Sequence, residues 1–338
     1  MGTVLVTGAA GNLGRRVAER LAAHDRVIAV DLARAPKGVP GIEAHALDLA
    51  GPRAEEELAS LGSDACALVH LAWRPGGKHN LTATRHVLAA AAALDVRQLV
   101  HVSSATVYGA WPDNPLPLTE EAEPRPNPEF AYAVEKRASE VLVERWARNH
   151  TSTGVAVLRP ACTLGSTSDE PVYQALAEPR RPPLGSDGRM VQFLHIDDLA
   201  GAVLHTIAED LSGTYNVAPD SGLTEEAAGA LAGGSASLPL PASLRAALAA
   251  LHWRSARQGA PPGAEAYAEH SWVVSGDKLR LTGWRAEYNS EQALVASDER
   301  GRWDDLPQAR RVALTLAAAG LAIVATGAGG AAWWHHRR

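Results

Sequence analysis

The chain has 338 residues, 46% of them hydrophobic and 21% charged, which is enough apolar material for a large core and too mixed in charge for a disordered chain. A net charge of -6 and an isoelectric point near 6.1 lack the basic surplus that a nucleic-acid binder needs, so small molecules or protein partners are the better expectation. Two cysteines, Cys66 and Cys162, cannot build a disulfide scaffold and suit a reducing compartment. The first residues carry neither a basic stretch nor a long apolar run before a small-residue cleavage site, so the N-terminal part is expected to stay in the cytoplasm.

Short runs rich in Val, Leu and Ile alternate with helical stretches through the first half, the pattern of a parallel sheet covered by helices. The periodicity predicts strands at Thr3 to Thr7, Arg26 to Asp31, Ile42 to Leu47, Ala65 to Leu71, Gln98 to Ser103 and Gly154 to Arg159. Helices are expected at Leu13 to Ala23, Glu55 to Leu61, His79 to Ala93 and Tyr132 to Arg148, with a Pro-rich surface loop from Pro112 to Pro128. After Pro160 the pattern loosens, with a candidate helix at Val172 to Ala177. A strand at Val191 to His195, a helix at Asp197 to Ala208 capped by an aspartate, and a strand at Gly213 to Ala218 follow. From Leu223 the chain turns mainly helical, Leu244 to Trp253 being the clearest helix. Val312 to Trp334 holds no ionisable side chain and is long enough to span the roughly 30 Å hydrocarbon core of a bilayer. With Arg310 and Arg311 before it and Trp333 and Trp334 closing it, the segment reads as a candidate membrane anchor; an Ala-rich helix docked on the protein is the alternative.

Thr7-Gly8-Ala9-Ala10-Gly11-Asn12-Leu13-Gly14 leaves the first strand and opens the first helix, the setting of a phosphate-cradling loop. Gly8 allows a tight turn, Gly11 lets backbone N–H groups approach a pyrophosphate, and Gly14 lets the helix pack closely; taken alone they could be turn formers, but their place between strand and helix favours the phosphate loop. Asp31 ends the second strand, where a carboxylate accepts from ribose hydroxyls and repels a 2′-phosphate, favouring NAD over NADP. Asp48, with Leu49, could hold the adenine edge, or Asp48 could be a helix N-cap. Tyr132 and Lys136 lie four apart and share one helix face. A lysine cation stabilises a phenolate, so the pair can move a hydroxyl proton while hydride moves at the adjacent carbon. No His-x-His, His-Glu-x-x-His or paired-Cys pattern accompanies the 13 histidines, so no metal is expected.

The chain resembles the extended short-chain dehydrogenase/reductase family, the NAD-dependent epimerase/dehydratase group, over about residues 1 to 220. The markers are Thr7 to Gly14, His70-Leu71-Ala72, Asn80 with Thr84, Ser103 to Gly109, Tyr132 to Lys136, Leu158-Arg159-Pro160 and His195 to Ala200. The resemblance implies a Rossmann-type doubly wound α/β fold with NAD as cofactor, a mainly helical C-terminal substrate region and a catalytic trio of Ser104, Tyr132 and Lys136. The expected bounds are 1–165 for the NAD-binding part and 166–300 for the substrate region, with 190–220 returning to the main sheet, and 310–334 for the hydrophobic tail read from its composition. By the same likeness Gly8, Gly11, Asn12, Leu13, Gly14, Asp31, Asp48, Leu49, Leu71, Ala72 and Pro160 line the cofactor. Asn80 completes a water relay, Lys136 binds the nicotinamide ribose, and His195 is structural. A homodimer through His79 to Ala93 and Tyr132 to Arg148 is implied as well.

Members acting on nucleotide sugars usually carry Asn where this chain has Cys162, which cannot replace that amide's donors and acceptor. Trp73 stands where a small residue is common. Trp73, Thr106 and Cys162 are therefore candidate substrate contacts, although Cys162 and Trp73 could equally be packing residues. The expected activity is hydride transfer at a secondary hydroxyl or carbonyl of a small molecule, such as a nucleotide sugar. The alternatives are a hydroxysteroid- or isoprenoid-type dehydrogenase acting on a membrane-soluble substrate, and a non-catalytic NAD-binding protein.

Overall fold

The computed structural model describes residues 2–32, 39–74, 79–165, 189–231 and 263–298. Seven parallel strands form its main sheet: β1 Thr3–Thr7, β2 Arg26–Asp31, β3 Ile42–Ala46, β4 Ala65–His70, β5 Gln98–Val102, β6 Gly154–Pro160 and β10 Gly213–Val217. Their spatial order is β10-β6-β5-β4-β1-β2-β3. The chain runs outward one way from β1 through β2 and β3, then crosses back to β4 and runs outward the other way. Such a reversal opens a crevice beyond the carboxyl ends of β1 and β4, the place where open α/β sheets bind ligands.

Sequence alternation explains why both sheet faces are covered. Along β1, Val4 and Val6 belong to one apolar cluster and Leu5 to the other, and β2 repeats this with Val27 and Ala29 against Ile28 and Val30. A fully buried strand with small or branched apolar side chains on both faces is what a parallel sheet between helices demands. Helix α1, Asn12–Leu21, covers the first face with Val17, Ala18 and Leu21; helices α2, Ala54–Leu61, and α3, Asn80–Ala93, cover the second with Leu58, Val87 and Leu88. Helix α4, Ala131–Asn149, adds Val143 to the second cluster while Ala133 near its start joins the first. Helix α5, Ile196–Ala208, returns to the first face through Leu199, Ala202 and Val203.

The strand expected at Val191 to His195 is in fact two. The first, β8, Met190–Val191, pairs antiparallel with β11, Leu223–Thr224, while the second, β9, Phe193–His195, pairs parallel with β7, Cys162–Leu164. Gln192 separates them because its amide donates to the carbonyls of Pro219 and Val274 and accepts from Val274 N–H. Within 190–220, only Gly213–Val217 joins the main sheet. The aspartate cap is also corrected: His195 caps α5, its Nδ1 accepting from Asp197 N–H at 3.3 Å. Asp197 instead pairs with Arg16 and Arg20 of α1, and Asp198 accepts from the backbone of Glu287 and Tyr288. As an N-cap Asp48 is likewise overturned, since α2 begins at Ala54 with Arg53 before it. Past β11, the described residues hold four short helices, Glu225–Leu231, Glu265–Glu269, Asp277–Arg280 and Ser290–Asp298. The helices expected at Val172 to Ala177 and Leu244 to Trp253 and the segment Val312 to Trp334 lie outside the described residues; among those described, no helix is long and apolar enough to cross a membrane.

Candidate active site

The loop after β1 is fixed by backbone contacts on both sides. Gly8 N–H donates to Val30 O at 2.8 Å and Leu71 N–H to Thr7 O at 3.1 Å, so the loop is pinned between the ends of β2 and β4. Gly8 has φ +76°, and a Cβ there would lie 2.6 Å from Ala72 N, so both conformation and space require glycine. A Cβ on Gly14 would collide with the Gly8 carbonyl oxygen and stand 2.7 Å from Ala9 Cα. Gly11 precedes α1 in an extended conformation, Asn12 begins the helix, and Leu13 packs on the core beneath. The N-terminal N–H groups of α1 thus face the crevice, a ready site for phosphate.

Asp31 closes this side. Its Oδ2 accepts from Ala10 N–H at 2.9 Å and its Oδ1 from Leu32 N–H at 2.6 Å, which places the carboxylate against the loop. Asp48 accepts from Ala50 N–H and meets Arg74 at 3.4 Å, with Leu49 buried beside it. Leu71 and Ala72 are half-buried at the β4 exit. The cradle fits a dinucleotide: two glycines admit close approach where a Cβ would fill the space, and a carboxylate stands at the end of β2.

Across the crevice, Ser104 follows β5 and caps a 3-10 turn over Ala105–Tyr108. Its Oγ accepts from Thr106 N–H at 3.2 Å and Thr106 Oγ1 at 2.9 Å, so its own proton points elsewhere. The Thr106 carbonyl accepts from Tyr267 O–H at 2.7 Å, tying this turn to the C-terminal region. Lys136 is buried and donates from Nζ to Val102 O at 3.0 Å. The half-buried Tyr132 packs edge-on against Trp73, ring centroids 4.7 Å apart, and Lys136 Nζ lies 5.9 Å from the Tyr132 ring centroid. The Trp73 indole nitrogen is buried without an acceptor. Pro160 is buried at the end of β6, and Cys162 opens β7 at 2% exposure. The sequence-derived residues therefore gather along the carboxyl edge of β1, β2, β4, β5 and β6.

Both ends of the Asn80 amide are engaged within the protein. Its Oδ1 accepts from Arg74 N–H, and its Nδ2 donates to Arg74 O and to Glu135 Oε2, each at 2.9 Å. The amide clamps the β4–α3 loop to α4. Sequence reading missed Glu135, and it missed a larger buried layer below Lys136. Thr7 Oγ1 meets His70 Nδ1 at 2.8 Å, His70 Nε2 meets Thr84 Oγ1 at 3.2 Å, Thr84 meets Ser139 Oγ at 3.1 Å, and Ser139 meets His101 Nε2 at 3.2 Å. Burial, and secondarily the Lys136 charge, hold His70 down to about 3. Burial, then His70 and Lys136, keep His101 well below the usual imidazole range. Both rings are therefore neutral at pH 7.

A second buried cluster anchors α4 to β6. Arg159 donates to Glu140 at 2.9 and 2.8 Å and to the Tyr108 hydroxyl oxygen at 2.9 Å, and that hydroxyl donates to Asn216 Oδ1 at 2.8 Å. Glu140 is fully buried and Arg159 only 4% exposed. Burial works against the Arg159 charge, but hydrogen bonding and attraction from Glu140 outweigh it and raise its pKa further. The one sequence signal was spacing: Lys136 and Glu140 stand four apart, which on an exposed helix reads as a surface ion pair. Here each goes inward to a different partner.

The model of a family described as NAD dependent epimerase/dehydratase matches residues 4–218. An uncharacterized protein of Mycobacterium tuberculosis (strain ATCC 25618 / H37Rv) is 30% identical over 234 residues, covering 64% of this chain and 62% of that protein. The chain thus spans about 62% of the length of such curated relatives. Among solved structures, UDP-glucose 4-epimerase of Thermus thermophilus, in complex with NAD, aligns with TM-score 0.64 at 24% identity over 88% of this chain and 98% of that one. MoeE5, in complex with UDP-glucuronic acid and NAD, aligns with TM-score 0.68 at 21% identity over 90% of this chain and 100% of that one. At these identities the structural likeness establishes the fold.

Proposed function

The chain belongs to the NAD-dependent epimerase/dehydratase family, and from that premise we propose that it is an NAD-dependent enzyme transferring hydride at a secondary hydroxyl or carbonyl of a small molecule. The observation carrying this reading is the placement of Ser104, Tyr132 and Lys136 across the crevice from the glycine cradle. Bound NAD supplies a hydride acceptor. The cradle of Gly8, Gly11, Asn12, Leu13 and Gly14 would hold its pyrophosphate and Asp31 its adenosine ribose, with Asp48, Leu49, Leu71, Ala72 and Pro160 along its length. Tyr132 takes the substrate hydroxyl proton at its phenolate oxygen and returns it in the reverse step; Lys136 stabilises that phenolate by its charge. Ser104, accepting two hydrogen bonds at Oγ, directs its own proton to the reacting oxygen.

Nucleotide sugars are the proposed substrates, on the strength of what the structurally similar enzymes bind. Cys162 and Trp73 favour a second reading, an apolar secondary alcohol such as a steroid, since neither side chain supplies the amide usual at the Cys162 position. Residues 1–165 would bind cofactor and 166–300 substrate. Val312 to Trp334 is proposed as a membrane anchor, and the helices α3 and α4 as a homodimer face. Calorimetry with NAD and turnover of a substrate panel test the activity: Tyr132→Phe should abolish turnover while NAD affinity stays within about twofold. Turnover surviving that change removes the mechanism; turnover of a steroid but of no nucleotide sugar selects the second reading. Removal of residues from Arg310 onward should release the protein from liposomes if the anchor is real, and sedimentation of that form reads the oligomeric state.

A further inference from the structure

We propose that Trp73 is a positioning residue for the Tyr132 and Lys136 pair, its indole holding the phenol ring and the ammonium in place and shielding them from water. The proposal rests on the Tyr132 and Lys136 chemistry above. Its foundation is a closed triangle of contacts. The Trp73 and Tyr132 ring centroids are 4.7 Å apart with their planes at 89°, the perpendicular arrangement in which the positive edge of one ring meets the negative face of the other. Lys136 Nζ lies 5.8 Å from the Trp73 ring centroid and 5.9 Å from that of Tyr132, within the reach at which an aromatic ring attracts a cation. Removing the indole therefore takes a contact from both members of the pair at once.

The segment that carries Trp73 is pinned at both ends. Leu71 N–H donates to Thr7 O at 3.1 Å, and Asn80 grips Arg74 twice, accepting from its N–H and donating to its carbonyl at 2.9 Å each. The same amide donates to Glu135 of α4, which stands between Tyr132 and Lys136 in sequence. Asn80 thus ties the residue after Trp73 to the helix that bears the pair. The indole N–H is buried and meets no acceptor, a cost for any buried donor, so the side chain is held here by its ring surface and not by a hydrogen bond. Phe130 meets the Tyr132 ring as well, centroids 5.6 Å apart, which gives the phenol two aromatic neighbours. The carboxylates close by on α4 face other partners, Glu135 toward Asn80 and Glu140 toward Arg159, and the buried His70 and His101 are neutral. Lys136 is the cation beside the phenol, and its attraction for a phenolate is stronger behind a dry aromatic wall than in water.

The test is a titration of Tyr132 that needs no substrate. Tyrosinate absorbance is followed on the full chain, each protein being read against the same protein carrying Tyr132→Phe. Lys136→Met should raise the Tyr132 titration by about one pH unit or more; if it does not, the reading of Tyr132 and Lys136 fails, whatever Trp73 does. Given that rise, the same Lys136→Met change made in Trp73→Leu should raise the titration by less than half as much, because the ammonium there is neither fixed nor shielded. Comparing the lysine change in the two backgrounds cancels the altered burial of the phenol that any substitution at Trp73 brings. Trp73→Phe, which keeps a ring, should restore more than half of the lost effect of Lys136. A folded Trp73→Leu protein in which Lys136 keeps its full effect overturns the role of Trp73 and leaves the reading intact, and a Trp73→Phe protein that behaves like Trp73→Leu overturns the aromatic contact as its cause. Where Trp73→Leu fails to fold, proton NMR of the wild type decides: through-space signals from the Trp73 indole to the Tyr132 ring and to the Lys136 ε-methylene support the proposal, and their absence overturns it.

Discussion

The two sides of the crevice are built by different means. On the cofactor side, the loop from Thr7 to Gly14 is held by backbone hydrogen bonds to Val30 and by the absence of side chains at Gly8 and Gly14. On the catalytic side, the elements that carry Lys136 and Ser104 are tied to their neighbours by buried side chains from six segments, Arg159, Glu140, Tyr108, Thr84 and the two histidines. Backbone and glycine constraints are local and fail locally. A buried polar cluster couples distant elements, so losing one member leaves its partners unsatisfied in a low-dielectric interior. Damage to the catalytic side should therefore appear first as lost stability, and damage to the cofactor side first as lost binding.

Glu140→Ala sharpens this most. It leaves Arg159 charged, buried and without its carboxylate, and should cost about 3–5 kcal/mol of unfolding free energy in denaturant titration. A loss below about 1 kcal/mol would break the contrast. Acid comes next. The folded-state value of His70 lies near 3, below the ordinary imidazole value of 6.5, so the unfolded chain binds its proton first. The stability that neutral His70 contributes is complete above about pH 6.5 and drains away as pH falls toward about 3, by about 1.4 kcal/mol per pH unit. Stability measured by denaturant titration from about pH 7 to about pH 4.5 should fall at least that steeply, because His101 is held low as well, and His70→Asn should make the fall shallower.

Thr84→Val removes the hydroxyl on which His70 and Ser139 both converge. It should cost about 1–3 kcal/mol by leaving buried donors unmade. On the cofactor side, Gly14→Ala introduces a Cβ against the Gly8 carbonyl. The helix must shift, at a cost of about 1–3 kcal/mol, and calorimetry should find NAD affinity reduced at least tenfold. Smallest in stability is Asp31→Asn, which keeps an acceptor for Ala10 N–H. It should stay within about 0.5 kcal/mol of the parent while weakening NAD, because a neutral amide is a poorer acceptor for ribose hydroxyls than a carboxylate.

Legibility in the sequence divides along the same line. The glycines, Asp31, and the Tyr132 and Lys136 pair could be read because each rests on a spacing within one turn or one strand end. The strands followed from runs such as Thr3–Thr7, buried at every position. His195 was read as structural, and it caps α5. Where local rules had two answers, the tertiary structure chose: Asp197 looks like a cap but answers to Arg16 and Arg20, which lie far off in sequence on α1. The run Val191 to His195 looks continuous but is divided by the bonds that Gln192 makes to Pro219 and Val274.

The sequence by itself determined the doubly wound sheet, the glycine turn after β1 and the shared helix of Tyr132 and Lys136, because each depends on periodicities of two or 3.6 residues or on a glycine at a turn. Only the tertiary structure decided that Asn80 is clamped between Arg74 and Glu135, that Glu140 belongs to Arg159, and that two histidines lie neutral beneath Lys136. Those facts depend on which side chains the crossovers bring within about 3 Å of one another, and on how far burial changes a charge, neither of which any local spacing encodes.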